Sequence, residues 1–352
     1  MKKKFLFFAT LSLLFFSCSE DDSPTTPEPE AAFASGIFVL NEGNFGSSNA
    51  TVSFINADGN VERSVFSAVN GTDLGDTAQS IAFYEDLAFI ILNVSNKIEV
   101  VDRYTFEQVA SIGTDLQNPR YAAIANGKLY VTNWGDGMDS EDDFVAVFEL
   151  ADFTLAEKIA VAEGPENIRA INDKLYVAHQ GGFSFNNLLS IIDSEDNTVE
   201  KTLEVGDVPN SMVVANGDLY VLSGGKPSYA SEETASSIAE ISLDSDEVSD
   251  SWNFELSAGH AGNLSVVGGN LLYIINSDVF EWSGSGALPG SSSFSLTEPA
   301  SIYGFDVTDD AIFVSSPTAD FTGDGTVYKY DLSGQLLDTY SVEINPNGVY
   351  FN

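Results

Sequence analysis

One unit recurs along the chain from residue 36 onward, and its length restricts the fold more than any other feature. It is plainest in Asn118-Pro-Arg-Tyr-Ala-Ala-Ile-Ala-Asn-Gly-Lys-Leu-Tyr-Val-Thr132, Gly164-Pro-Glu-Asn-Ile-Arg-Ala-Ile-Asn-Asp-Lys-Leu-Tyr-Val-Ala178 and Val208-Pro-Asn-Ser-Met-Val-Val-Ala-Asn-Gly-Asp-Leu-Tyr-Val-Leu222. Each has a proline, a short apolar strand, a tight polar turn and a second strand carrying an aromatic. Asn126-Gly127 and Asn216-Gly217 are hairpin signals, because both central positions of such a turn need positive φ. Asn172-Asp173, Gly268-Gly269 and Asp309-Asp310 stand at the same place. The aromatic recurs as Phe38, Phe89, Tyr130, Tyr176, Tyr220, Tyr273 and Phe313, at spacings of 51, 41, 46, 44, 53 and 40. Seven copies of a unit of about 45 residues predict a propeller with four-stranded blades.

The remaining strands follow each marker. In the third unit they are Phe144 to Leu150 and Leu155 to Val161, and in the fourth Leu188 to Asp193 and Thr198 to Val205. No stretch has helical period. The first unit opens on its second strand, Gly36 to Leu40, and lacks a first. The chain ends in Asn345-Pro-Asn-Gly-Val-Tyr-Phe-Asn352, a first strand with no second. Pairing the two closes the ring in one blade and removes an open edge. The expected fold is therefore all-β, a seven-bladed β-propeller over residues 36–352. A two-sheet sandwich suits the length but does not explain seven registers.

The N-terminus reads as an address. Lys2 to Lys4 precede the uncharged run Phe5 to Ser17. As a helix that run rises only about 20 Å, short of a ~30 Å membrane core. Residues 1–17 thus read as a signal peptide. Leu14-Phe15-Phe16-Ser17-Cys18 resembles a bacterial lipobox, with Phe16 where a small residue is usual. An ordinary signal followed by an incidental cysteine is the alternative. Cys18 is the only cysteine in the chain, which favours lipidation there and leaves no disulfide or cysteine-based zinc site. Residues 18–35 carry Ser-Glu-Asp-Asp-Ser-Pro-Thr-Thr-Pro-Glu-Pro-Glu, which cannot pack and reads as an extended tether. An acidic stretch after the lipidated cysteine is similar to the surface-export signal of Bacteroidetes lipoproteins. It implies a lipid anchor in the outer membrane, facing the cell exterior.

Charge excludes one large class of partner. With 14 Lys+Arg against 53 Asp+Glu, the formal net charge is −39. Such a surface repels phosphate backbones, so no nucleic acid is expected as partner.

In a propeller, the loops from second to third strand share one face with the connections between blades. Five of these loops are long: Asn41 to Asn49, Asn133 to Asp143, His179 to Asn187, Ser223 to Ser236 and Ser315 to Gly325. A rigid scaffold that enlarges one face places function there. The loops are rich in rings and amides. The candidate ligand-binding residues are Asn41, Asn44 and Phe45; Asn133 and Trp134; His179, Gln180, Phe183 and Phe185; Tyr229; and Phe321. Such a surface suits a large flat ligand with polar edges, or a protein partner.

Catalytic chemistry is thin. The chain has two histidines, His179 and His260, about 80 residues apart. Both are expected on the loop face, where a shared metal is the weaker reading. No Gly-x-Ser-x-Gly elbow occurs. Asp136, Asp139, Glu141, Asp142 and Asp143 crowd one loop, and Asp320 and Asp324 another. Neither has EF-hand spacing, so solvated charge is the simpler reading and calcium stays open. No catalytic residue, metal or cofactor is assigned, and the protein is expected not to be an enzyme.

The lipidated start, the acidic tether and the opening Gly36-Ile-Phe-Val-Leu-Asn-Glu-Gly-Asn-Phe45 resemble the Bacteroidetes YncE-like (DUF5074-type) seven-bladed surface lipoproteins. Thr326-Val-Tyr-Lys-Tyr-Asp331 and the closing Asn-Pro-Asn-Gly fit the same pattern. The resemblance covers residues 36–352. Similar members include surface corrinoid-binding lipoproteins, which hand vitamin B12 to a TonB-dependent outer-membrane transporter. It therefore implies a corrinoid ligand and a transporter partner. An adhesion propeller gripping a protein or glycan, and a metal-assisted lactonase-like or lyase-like enzyme, are the other readings.

Overall fold

The computed structural model describes residues 31–352. The signal peptide and Cys18 lie outside the described residues. Seven four-stranded antiparallel sheets are arranged in a ring. The innermost strands are Pro346–Phe351, Ala78–Tyr84, Pro119–Ala125, Pro165–Ile171, Pro209–Ala215, Ala261–Val267 and Gly304–Val307, for blades 1 to 7. Each packs beside the innermost strand of the next blade, and the seventh beside the first.

The second strand of each blade is apolar on both faces, as in Leu87–Leu92, Leu-Ala-Phe-Ile-Ile-Leu. Its alternate side chains enter two different cores. Phe89 and Ile91 pack towards blade 3, whereas Ala88, Ile90 and Leu92 pack towards blade 1. The same division gives seven apolar clusters, one at each junction between blades. A strand buried on both faces cannot show polar alternation, which is why these segments read as unbroken apolar runs. The outermost strands do alternate or are largely exposed, as in Glu247–Asn253.

The third and fourth strands of blades 3 and 4 fall at Phe144–Glu149, Leu155–Ala160, Leu188–Asp193 and Thr198–Glu204, each within one residue of the sequence expectation. The hairpin turns follow their chemistry. Asn126 and Gly127 have φ of 47° and 72°, and Asn216 and Gly217 have 54° and 97°, the geometry that twists with the flanking strands.

Three details differ from the sequence reading. The marker of the sixth blade is Leu272, not Tyr273. Leu272 pairs with Ser265 as Tyr220 pairs with Val213, and Tyr273 turns to the opposite core. An aromatic one residue late masked the register. A six-residue helix, Val65–Asn70, fills the connection after the outermost strand of blade 1, where its Val65 and Phe66 are buried. It is too short to show a period. Phe33, expected in the tether, is 4% exposed and packs edge-on against Phe54 and Phe106 at 5.1 and 5.8 Å. The folded part thus includes Phe33, and the tether reading cannot extend past it.

The ring closes as expected. Gly36–Asn41 pairs with Pro346–Phe351, with Phe38 opposite Tyr350 and Val39 opposite Val349. Side chains reinforce the ladder. Asp306 accepts the Val349 N–H at 2.9 Å, and the Asn345 amide donates to Gly43 O at 2.8 Å. Packing is close enough that a Cβ on Gly304 would stand 2.4 Å from Asn347 O. Deleting residues 345–352 is expected to expose the edge of Gly36–Asn41 and open two apolar clusters, a loss comparable with the 5–15 kcal/mol stability of a domain. A melting temperature equal to that of the intact propeller would overturn this account.

Candidate functional site

Each of the five enlarged loops presents one large apolar side chain to solvent. The loops are residues 42–50, 134–143, 180–187, 224–236 and 317–323; the side chains are Phe45, Met138, Phe183, Tyr229 and Phe321. Phe45, Met138, Phe183 and Tyr229 are 84, 93, 78 and 83% exposed, while no other large apolar residue among those described exceeds 53%. All lie on the face shared by second-to-third-strand loops.

The loops that carry them are internally bonded. The Asp76 carboxylate accepts the N–H groups of Gly46 and Ser48 at 3.2 and 3.1 Å. Asp142 accepts the Asp136 N–H at 2.9 Å, and Thr234 joins the Lys226 N–H to Asp207. Those acidic side chains serve as loop staples. Among the described residues, no group of three or more His, Cys, Asp or Glu is placed to hold a metal.

Three candidates are not at loop tips. Asn41, Asn133 and His179 are the last residues of second strands and are fully buried. They stand three residues after the markers Phe38, Tyr130 and Tyr176, a repeat position that points into the scaffold. Asn133 donates to Val131 O at 2.8 Å and accepts the Gln117 N–H at 2.9 Å. Asn41 donates to Ser53. His179 contacts Ala162 O at 2.9 Å and Ser190 Oγ at 2.8 Å, so both ring nitrogens are occupied. Burial lowers its pKa to about 4, so it is neutral at pH 7. His260 lies instead on Gly224 O and Glu233. The two histidines do not share a site.

The other candidates do reach the face. Trp134 is half-buried and meets Phe183 at 5.8 Å between ring centres. Phe185 and Gln180 are half-buried, and Phe185 lies 6.3 Å from Tyr229. Asn44 donates to Phe321 O at 2.9 Å, joining the loops of blades 1 and 7.

At the centre of this face lies the channel mouth, which sequence reasoning had not assigned. The backbone bulges just after the first residue of the innermost strands, for example between Pro119 and Ala122. The bulge turns the next side chain into the mouth. Arg120 there grips Glu166 of the next blade through two hydrogen bonds of 2.9 and 2.8 Å and lies 4.0 Å above the Trp134 ring. Burial opposes the Arg120 charge, but the Glu166 carboxylate outweighs it and raises the pKa. Opposite, Glu42 accepts from Tyr303 Oη at 3.1 Å and from the Asn347 amide at 3.1 Å, and burial raises its pKa. Burial also pushes the Tyr121 phenol up to about 12. Below the mouth the channel encloses about 710 Å³. The signal was in the repeat. The residue after its proline is Arg120, Glu166, Asn210 or Asn347, a polar side chain that changes where the rest of the unit repeats.

The family model described as a domain of unknown function, DUF5074, matches residues 35–258. The chain belongs to the DUF5074 family. No curated protein matches the sequence. Solved structures similar to this DUF5074 propeller share the fold at low identity. A candidate 6-phosphogluconolactonase from Bacteroides uniformis is 14% identical with a TM-score of 0.64, over 90% of this chain and 99% of that one. A functionally unknown protein from Desulfotomaculum acetoxidans is 11% identical with a TM-score of 0.62, over 90% and 98%. BamB from Moraxella catarrhalis is 13% identical with a TM-score of 0.54, over 88% and 84%.

One buried acid gives the loop face a pH dependence. Asp143 is buried, lines the same small pocket as Trp134 and accepts the Gly164 N–H at 3.2 Å, yet burial pushes its pKa up to about 7, with Asp142, Glu163 and Asp139 adding repulsion. An acid raised above its ordinary 3.8 favours the protonated folded state, so its stability contribution is full below about pH 4 and is lost as pH rises through 7. Asp143→Asn never ionises. Its stability relative to the parent protein should therefore rise between pH 4 and 7 and level off above. Paired melts across that range check this, and a constant difference would refute the assignment.

Proposed function

We propose that this protein is a surface binding propeller that captures a corrinoid-class ligand on the loop face, without turnover, and passes it to a TonB-dependent outer-membrane transporter. The observation that carries this reading is the crown of exposed apolar side chains on otherwise bonded loops. Apolar surface held in water is unfavourable by roughly 25 cal/mol per Å², and patches of it on a soluble face mark binding sites. A wide ring system fringed by amides matches apolar tips around a mouth of fixed polar groups. The resemblance to corrinoid-binding surface lipoproteins supplies the ligand class.

The ionisable groups at the mouth favour binding over catalysis. Arg120 is committed to Glu166, and Glu42 to Tyr303 and Asn347. An adhesion role, with the same crown gripping a protein, is the second reading. It draws on Met138, the most exposed of the five, since a flexible thioether suits adaptable protein surfaces.

Calorimetry and absorption titration of the soluble propeller with cyanocobalamin test the ligand. Phe45, Phe183 and Tyr229 project from blades 1, 4 and 5. Changing each to Ala should weaken binding at least tenfold, which requires only ~1.4 kcal/mol. The corrin body is close to neutral, so salt should alter affinity little. No heat and no spectral change at micromolar protein would sink the corrinoid reading and leave adhesion.

Membrane retention rests on Cys18, diacylated and followed by the acidic tether. Several acyl chains, at about 0.8 kcal/mol per buried CH₂, hold a protein firmly. Cys18→Ala should abolish acyl labelling and release the protein from the membrane fraction, since the chain has no other thiol. Persistent labelling of that variant would disprove the anchor.

A further inference from the structure

The channel runs on from the polar mouth to the opposite end of the ring, where the hairpin turns lie. There its wall changes character. Along blades 2 to 5 a recess of about 460 Å³ is lined by Ala82, Ala122, Ile124, Ile168 and Val214 among others, and by one charged side chain, Arg169. The other three arginines are engaged: Arg63 by Asp324, Arg120 by Glu166 and Arg103 by Asn352. Arg169 has neither an ion pair nor a side-chain hydrogen bond among the described residues. The repeat explains its position. It occupies the register that holds Ala123 in blade 3 and Val213 in blade 5, each facing the marker of its own blade. Blade 2 holds Ala82 at this register, so along blades 2 to 5 a guanidinium stands where the neighbours carry apolar residues, while blades 6, 7 and 1 carry Ser265, Asp306 and Tyr350.

We propose that this end of the channel is a second binding site, for an amphiphilic carboxylate whose head sits on Arg169 and whose unbranched apolar body lies along the wall. Arg169 is open to the channel water and has no carboxylate partner among the described residues, so its guanidinium is free to take an anionic group. Its planar fork matches a carboxylate through two parallel hydrogen bonds. The surrounding protein lowers the Arg169 pKa with no carboxylate offsetting it, as expected of a cation short of a partner. The recess volume lies within the ~300–1,000 Å³ of small-molecule sites. One guanidinium balances one monoanion, whereas a phosphate dianion would bring a second uncompensated charge into an apolar wall. The acidic exterior opposes approach, but its field is screened over about 8 Å at physiological salt. Asp306, the channel carboxylate on blade 7, is tied to the Val349 N–H. This site is separate from the loop crown and does not depend on it.

Calorimetry of the soluble propeller at pH 7 with decanoate, decanol and acetate tests the proposal, since these separate body from charge. Decanoate is expected to bind at least tenfold more tightly than either of the others. Arg169→Met should reduce decanoate affinity to that of decanol while leaving cyanocobalamin titrations unchanged, because no native ion pair is removed. Ala170→Phe, which narrows the recess and keeps the charge, should also lose decanoate. Decanol binding as tightly as decanoate, acetate binding as tightly as decanoate, or affinity retained in both variants would each overturn the proposal.

Discussion

The pairing of Gly36–Asn41 with Pro346–Phe351 is the contact on which the other features depend. Each blade buries its second strand between two neighbours, so the apolar cores exist only if every blade has a neighbour on both sides. An open arc would leave two sheet faces bare. Closure by strand exchange between the chain ends makes one sheet from segments about 310 residues apart, and its loss is felt at both flanking junctions. The closing strand also contributes to the channel. Asn347 reaches Glu42 at the mouth, and Tyr350 stands lower in the wall. The ladder that seals the ring therefore also fixes one side of the site.

Rigidity of the ring separates two kinds of residue that look alike in the sequence. Asn41, Asn133 and His179 are polar residues at the edges of long loops, yet they belong to the second strands and satisfy backbone groups inside the scaffold. Phe45, Phe183 and Tyr229 are apolar residues a few positions later, and they stand in water. In each case the chain reverses the usual preference of its side chains. Asn133 and His179 have partners on both polar sides, and the Asn41 NH₂ group donates to Val39 O and Ser53, so their burial is sustained. The exposed rings leave most of their surface in water, with only Trp134 beside Phe183 and Phe185 beside Tyr229, and that imbalance makes them informative about binding.

How much was legible follows from the period. The blade count, the strand limits and the closure were readable because each rests on a pattern repeated seven times or on two complementary halves. Tyr273 shows the limit of a single marker. A strand buried on both faces accepts an aromatic at any position, so only pairing with Ser265 reveals that Leu272 holds the equivalent register. Phe33 went into the tether because one apolar residue beside an acidic stretch has no periodicity, and its burial depends on Phe54 and Phe106 from distant strands. The mouth was hidden for a different reason. Arg120 and Glu166 lie 46 residues apart and meet only because adjacent blades bring the same repeat position together. Departures within an aligned repeat, not motifs, were the signal that pointed there.

Charge distribution links the two ends of the channel. With 14 Lys+Arg against 53 Asp+Glu, the chain carries a formal net charge of −39. Several of the cations are spent locally, as Lys174 is between Glu200 and Asp246 and Lys201 is on Glu247. Such pairs reduce repulsion among neighbouring acids without creating a positive field outside. On the proposed function, the crown meets its ligand through apolar contact and fixed dipoles, an arrangement that disfavours strongly anionic molecules and is indifferent to neutral ones. Solvent and salt screen the outer acids, whereas a charge inside the channel is screened less and acts over a longer range. Arg120 is neutralised there by Glu166, and Arg169 is not. The two proposed sites thus differ in the ligands they suit, and the difference traces to Arg169 lacking the carboxylate partner that Arg120 has.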